Sequence, residues 1–518
     1  NKQAFRPLSK HQDEDPIVLM ELSSMQSSHI AYSYLANVLA TENNARVVGY
    51  VPRVYSSCLK RFAFKIAKLF GLSYLGIYRS FGVTDFINIE ISKLQKQKAL
   101  RIHGEVTNQI KVKRDLEALT IHGIWVGDLI YDSYMARFNK PTFDKTDLEF
   151  ISFLLESIEL FVFWEEYLYS HDVRAISVSH CVYNLAMPLR LGAERNIPIF
   201  QSNVTSVYRM SKKNYFAYND FFYFPERFSA LSKEVKKAGV EEAKLRIERR
   251  FSGEVGVDMS YSTKSAYGAS RHVRLLRESS RKKILIATHC FFDSPHSYGN
   301  NIFPDFYEWL DFLGKTSEAT DYDWYVKTHP DYLPGTMEII EAFIEKYPRF
   351  TLLPSNASHN QIIAEGIDVA LTVFGTIAFE YAALGVPVIN GSLNNPHIAY
   401  DFNIHPRDVE DYRHLLLDLN HHDFHIDKQQ IYEYYFMRFI YNTENLFFNS
   451  YDTTIKKLGG YYGQFTPPVY DEWIEEWTLD KHKTIILALR TFIQSGDFRM
   501  DYRHFGREFT IDSIGAKT

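Results

Sequence analysis

A chain of 518 residues exceeds what one hydrophobic core organises, so two or more domains are expected. Its 46% hydrophobic and 23% charged residues give the balance of an ordinary globular protein, and a net charge of −5 argues against a dedicated nucleic-acid binder. Three cysteines far apart, Cys58, Cys181 and Cys290, form neither a disulfide framework nor a zinc pattern.

That cysteine usage fits a reducing, cytoplasmic compartment. No apolar run approaches the roughly 18 residues needed to span a bilayer. The opening Asn1-Lys-Gln-Ala-Phe5 is not a secretory signal.

Along the chain, Ile17-Val-Leu-Met-Glu21 reads as a strand, followed by a Ser-rich loop. A helix is expected over His29 to Ala40, with Ile30, Tyr34, Leu35 and Val38 on one face. Arg46 to Val51 is the next strand. The segment Leu59 to Phe70 is amphipathic: Arg61, Lys65 and Lys68 oppose Phe62, Ile66 and Leu69. It suits either a helix with a solvated basic face or peripheral contact with an anionic membrane. The β-loop-α-β pattern recurs at Ala175–Ser179, a helix through Leu191, and Ile197–Gln201. Strands alternating with helices imply a parallel sheet covered on both faces.

From Phe251 to Ser280 the pattern dissolves into Gly, Ser and Tyr, which reads as a linker or a mobile active-site loop. A second α/β region begins at Lys282. The expected organisation is a Rossmann-like α/β domain over 1–250, a linker or mobile loop over 251–281, a second Rossmann-like α/β domain over 282–428, and a mostly helical extension over 429–518. The fold class is α/β, with two Rossmann-like domains facing a central cleft and a helical C-terminal tail.

In an open parallel sheet, ligands bind beyond the carboxyl ends of the strands. Polar residues concentrate there. Ile284-Leu-Ile-Ala-Thr-His289 leads into a loop carrying Asp293, His296 and Tyr298. Trp324-Tyr-Val-Lys-Thr-His-Pro330 ends in Lys327 and His329, which suit a phosphate and protonation of a leaving oxygen. Val369-Ala-Leu-Thr-Val-Phe-Gly-Thr376 runs into a helix from Ile377. Gly375 permits close backbone approach, Thr376 suits an N-cap, and the helix start favours a phosphate. Glu380, one turn on, can accept from ribose hydroxyls. For the catalytic carboxylate of the first domain the candidates are Asp128 and Asp132, four apart and on one face if helical, and Glu21 at a strand end. His180, after the strand Ala175–Ser179, is a further candidate. Asp321-Tyr-Asp323 reads as a turn rather than a metal motif, and His421-His-Asp-Phe-His425 lacks ligand geometry, so no metal site is expected.

The residues Asp293-Ser-Pro-His296, Phe303-Pro-Asp-Phe-Tyr-Glu-Trp309, Lys327-Thr-His-Pro330, Gly375-Thr-Ile-Ala-Phe-Glu380 and Gly385-Val-Pro387 resemble the GT-B glycosyltransferases of bacterial capsule and surface polysaccharide synthesis, the Kdo-transferase-like group. The resemblance implies transfer of a sugar from a nucleotide donor, often CMP-linked, to a surface glycan or its lipid-linked precursor. It also implies donor contacts at His329, Pro330, Gly375, Thr376 and Glu380, with no further cofactor. Two departures stand out: the acidic-acidic-Gly motif of sialyltransferases of similar build is missing, and a Glu-x7-Glu signature fails because Thr372 occupies the first position. A CDP-activated polyol-phosphate transferase, and a non-catalytic scaffold subunit of a glycan synthase, are the alternatives.

Overall fold

The computed structural model describes residues 5, 15–23, 25–51, 58–70, 72, 74–259, 264–268, 273–299, 301–329, 332–422 and 424–515. The chain divides into two compact units. The first comprises Asn1–Tyr134, Asp144–Ala217 and Glu444–Glu508; the second comprises Met135–Phe143, Tyr218–Thr443 and Phe509–Thr518.

The strands of the first unit are β1 (Ile17–Glu21), β2 (Arg46–Tyr50), β3 (Val83–Ile87), β4 (Thr120–Ile121), β5 (Ile124–Trp125), β6 (Val173–Val178), β7 (Ile199–Ser202) and β8 (Val207–Met210). β4 and β5 form a small antiparallel pair. The other six make one sheet in the order β3-β2-β1-β6-β7-β8, parallel except for β8. The helix Gln26–Glu42 packs on it through Ile30, Leu35 and Val38. The same core takes in Phe447, Trp473, Leu489 and Phe492 from the C-terminal segment 444–508.

The second unit holds β9 (Lys283–Ala287), β10 (Asp323–Lys327), β11 (Phe350–Leu352), β12 (Val369–Thr372) and β13 (Val388–Asn390). Its sheet runs β11-β10-β9-β12-β13, all parallel. Period two explains the continuous apolar runs. Ile284 and Ile286 of β9 enter one core, while Leu285 enters another on the opposite face. With both faces covered, every position must be apolar until the strand ends.

Both sheets reverse direction of strand order beside their first strand. β1 lies between β2 and β6, and β9 lies between β10 and β12. Such a switch point opens a crevice at the carboxyl ends of the two central strands.

Two expectations about organisation are corrected. The tail is not a separate extension, because 444–508 belong to the first unit and 509–518 to the second. Nor is 251–281 a linker in its described part: Val257, Met259, Tyr267 and Leu276 are buried within the second unit.

Candidate functional site

The first unit places Glu21 at its switch point. Glu21 ends β1 and is 2% exposed. Its carboxylate accepts from the Ser179 backbone N–H at 2.8 Å and from the Ser179 hydroxyl. Burial raises its pKa to about 7, only partly offset by those two bonds. His180 follows Ser179 and is exposed. The structure therefore brings Glu21, Ser179 and His180 together at the ends of β1 and β6.

Asp128 and Asp132 lie on the helix Gly127–Phe138, and both are buried, as the four-residue spacing predicts for one helix face. Asp128 is committed to an ion pair with Arg190 at 2.5 Å. The fully buried Arg190 guanidinium lies 4.5 Å from the Trp125 ring centroid and 4.4 Å from that of Tyr215. Gly127 belongs to the same packing, since a Cβ there would stand 2.0 Å from the Leu116 carbonyl oxygen. This motif holds a helix in place.

At the switch point of the second unit the central group is His289, which the sequence reading placed at a strand end without naming it a site residue. Its Nε2 lies 3.0 Å from Thr372 Oγ1, across from β9 to the end of β12. The N–H groups of Val373 and Phe374 point at the same nitrogen from 3.2 and 3.4 Å. Nε2 is therefore the acceptor and the ring proton sits on Nδ1. Burial pulls the pKa to about 4, so the ring is neutral near pH 7. It stacks on Phe306, with centroids 4.7 Å apart.

Thr372 Oγ1 in turn accepts from the Gly375 N–H at 3.2 Å. A Cβ on Gly375 would stand 2.9 Å from that oxygen, so the turn needs glycine. Thr376 occupies the N-cap position of the helix Ile377–Ala383 but makes no side-chain cap bond, contrary to expectation. The amides of Ala378, Phe379 and Glu380 close turns onto Gly375 and Thr376, while those of Thr376 and Ile377 meet no acceptor among the described residues. The following loop is tied in: Gly391 N–H donates to Thr372 O at 2.7 Å, and Ser392 Oγ to Val373 O at 3.0 Å.

Positive charge lies near Glu380, one turn into this helix. Lys327 is 2% exposed, and its ammonium donates to the Ser355 carbonyl at 3.0 Å. Burial lowers its pKa to about 8, although Glu380 pulls the other way. A ligand at the strand ends meets the field of Lys327 rather than its ammonium surface. His329 follows and is exposed, whereas Pro330 lies outside the described residues. His359 is held neutral by burial and by the charges of Lys327, His329 and Arg250, and bonds the Tyr381 hydroxyl at 2.7 Å.

Glu380 is not turned outward for a ribose. It is 3% exposed, pairs with Arg250 at 2.5 Å, and accepts from the Tyr267 hydroxyl at 2.7 Å. Arg250 ends the helix Lys233–Phe251, and Tyr267 comes from the stretch expected to be a linker. Two cations, Arg250 and Lys327, thus face one carboxylate. Asp293 is exposed and accepts from the Ser294 N–H at 2.8 Å, while His296 is buried. Tyr298 of the same loop meets Phe374 edge to face at 5.0 Å.

Other sequence signals resolve as structure. Asp323 accepts from Ser279, and Asp321 pairs with Arg281 at 3.1 Å. Among the described residues, no group of three or more His, Cys, Asp or Glu is placed to hold a metal. No helix among them is long and apolar enough to cross a membrane. The helix Cys58–Phe70 turns Phe62, Leu69 and Phe70 to solvent, while Lys65 and Lys68 pair with Glu90 and Asp85 at 3.6 and 2.6 Å. The side chain of Arg61 lies outside the described residues.

No protein-family model matches the chain, and no curated protein matches it. Among solved structures it is similar to a beta Kdo 2,4 transferase, KpsC, of Thermosulfurimonas dismutans, at 12% identity over 51% of this chain and 79% of that one, TM-score 0.31. A UDP-GlcNAc 2-epimerase of Neisseria meningitidis bound to UDP-GlcNAc aligns at 9% identity over 81% and 94%, TM-score 0.21. A glycosyltransferase of Rickettsia africae aligns at 10% over 96% and 100%, TM-score 0.23. Likenesses at these scores carry no argument about function.

Proposed function

We propose that the chain is a nucleotide-sugar-dependent glycosyltransferase of GT-B type, with the donor held by the second unit. The observation that carries this reading is the turn organised by His289 and Thr372. It leaves the Thr376 and Ile377 amides without an acceptor among the described residues, at the start of a helix whose Glu380 has two cations, Arg250 and Lys327, about it. Amides at a strand-to-helix turn near net positive charge suit the phosphate of a nucleotide. Preorganised charge of this kind stabilises a phosphate leaving group as it develops. In this scheme Arg250, Lys327 and His329 do electrostatically what a metal ion does in other transferases.

In the first unit we assign proton transfer to Glu21, with His180 beside it, and a structural role to Asp128. A carboxyl with pKa near 7 suits general base or acid work toward an acceptor hydroxyl. The finer reading is a CMP-activated acidic sugar such as Kdo, transferred to a surface polysaccharide or its lipid-linked precursor. Exposed Phe62, Leu69 and Phe70 suit peripheral contact with the membrane where such a precursor sits.

A thermal-shift panel of CMP, CDP, UDP, GDP and dTDP tests the proposal, because a ligand that binds only the folded state raises its apparent stability. Selective stabilisation by CMP supports the acidic-sugar donor. A preference for CDP favours polyol-phosphate transfer, and UDP, GDP or dTDP an ordinary hexose donor. No shift with any nucleotide rejects the transferase and favours a scaffold.

A further inference from the structure

The C-terminal segment of the first unit and Tyr34 of the helix Gln26–Glu42 line a half-open pocket of about 370 Å³. That size falls within the roughly 300–1,000 Å³ of small-ligand sites. Its walls combine two chemistries. The partly exposed ring of Trp477 is backed by the buried Tyr34, Phe447 and Trp473. Its rim is polar and charged, with Asn449, Thr478, Asp480 and Lys481 all exposed.

The polar groups are not all spent on the fold. Glu476 is engaged, accepting from the amides of Asn449 and Ser450 at 2.8 and 3.1 Å, which fixes one wall. Asn445 donates through Nδ2 to Asp452 at 3.0 Å, but its Oδ1 is buried without a partner among the described residues. Buried acceptors are normally satisfied, so this oxygen can take a hydroxyl donor. Asp480 and Lys481 have no ion-pair partner among the described residues.

The combination discriminates among ligand classes. A lipid tail needs an apolar mouth, and this one is ringed with charge. A phosphate would meet Glu476 and Asp480, while Arg507 at the wall is already paired with Glu444 at 2.7 Å. A neutral saccharide fits both halves: one C–H face lies on the Trp477 ring, and its hydroxyls donate to carboxylate and amide oxygens and accept from an ammonium. We infer that this cavity is a glycan subsite, holding a neutral saccharide unit of the acceptor at a distance from its reacting end. That role rests on the glycosyltransferase reading, while the binding itself does not.

The test is ligand-observed NMR on the full chain without nucleotide, using maltotriose and the N-acetylglucosamine trisaccharide as neutral probes and a sialic-acid trisaccharide as an acidic one. A neutral probe should bind saturably. Affinity should fall about tenfold or more in Asp480→Ala, the loss expected for a hydrogen bond to a charged group. It should fall further in Trp477→Ala. Asp480 is exposed, so that variant should melt as wild type does and keeps the test independent of folding. No binding of either neutral probe, binding of the acidic probe alone, or unchanged affinity in both variants would overturn the subsite. If nucleotides stabilise the chain and saccharides do not bind, only the subsite falls. If saccharides bind as described and no nucleotide does, the subsite stands and the transferase falls.

Discussion

Glu21 and Ser179 stand 158 residues apart, yet one carboxylate takes both the backbone N–H and the hydroxyl of the other residue, bridging the ends of β1 and β6. Burial costs the charged carboxylate more than these bonds return, so the pKa rises from 4.5 to about 7.

This shift makes stability fall with pH. Between pH 4.5 and 7 the unfolded chain has released this proton and the folded chain retains it. The contribution is therefore full below the unfolded pKa and is lost as pH rises through the folded one. Glu21→Gln should remove that dependence, gaining about 3 kcal/mol relative to wild type between pH 4 and pH 8. Urea denaturation at both pH values measures it; a constant difference would mean that Glu21 does not titrate near 7. The same variant should abolish transfer while leaving nucleotide binding intact.

Asp128→Ala should behave in the opposite way. It strands a fully buried guanidinium, and loss of one partner of a buried pair costs about 3–5 kcal/mol. The melting temperature should drop sharply, and any residual folded protein should still bind nucleotide. A stable Asp128→Ala protein with no transfer would return this residue to the catalytic candidates.

Glu380 carries a similar penalty in the second unit. Glu380→Leu leaves the largely buried Arg250 without its carboxylate and should cost about 3–5 kcal/mol, whereas adding Arg250→Met should recover most of that loss. Equilibrium unfolding of the two single variants and the double variant decides it. Additive losses in the double variant would show that the two residues act separately.

Thr372→Val tests the turn. It removes the hydroxyl between His289 and Gly375 while keeping shape, so nucleotide affinity should fall about tenfold, the equivalent of about 1.4 kcal/mol. The neutral state of His289, with its pKa near 4, also predicts that affinity will show no inflection from this ring between pH 6 and 8. Titration calorimetry reads both. Transfer itself should persist in EDTA, and a strict need for a divalent cation would reject the metal-free scheme.

The strands were legible because parallel strands covered on both faces must read as unbroken apolar runs, and the first polar residue after each run marks the crevice. This rule places Glu21, Lys327 and Thr372 without any structure, and His289 stands one residue past Thr288, the first polar residue after its own run. Their partners were not legible. His289 meets Thr372 across 83 residues, and Arg250 meets Glu380 across 130, and no local pattern encodes such pairings. Tyr267 was hidden differently. It lies in a stretch whose Gly and Ser content signals a loop, and only tertiary packing shows that its ring is buried and its hydroxyl bound to Glu380. Asp128 and Asp132 show the converse. Their spacing correctly put them on one helix face, but that face turned out to be an interior one.

The interleaving of the two units has a consequence for synthesis. The apolar side of the helix Gln26–Glu42 is covered by Leu489 and Phe492, which emerge from the ribosome long after it. At about 5–20 residues per second, the nascent first sheet waits tens of seconds with that surface bare. That surface is open to chaperones and to aggregation until those later helices arrive.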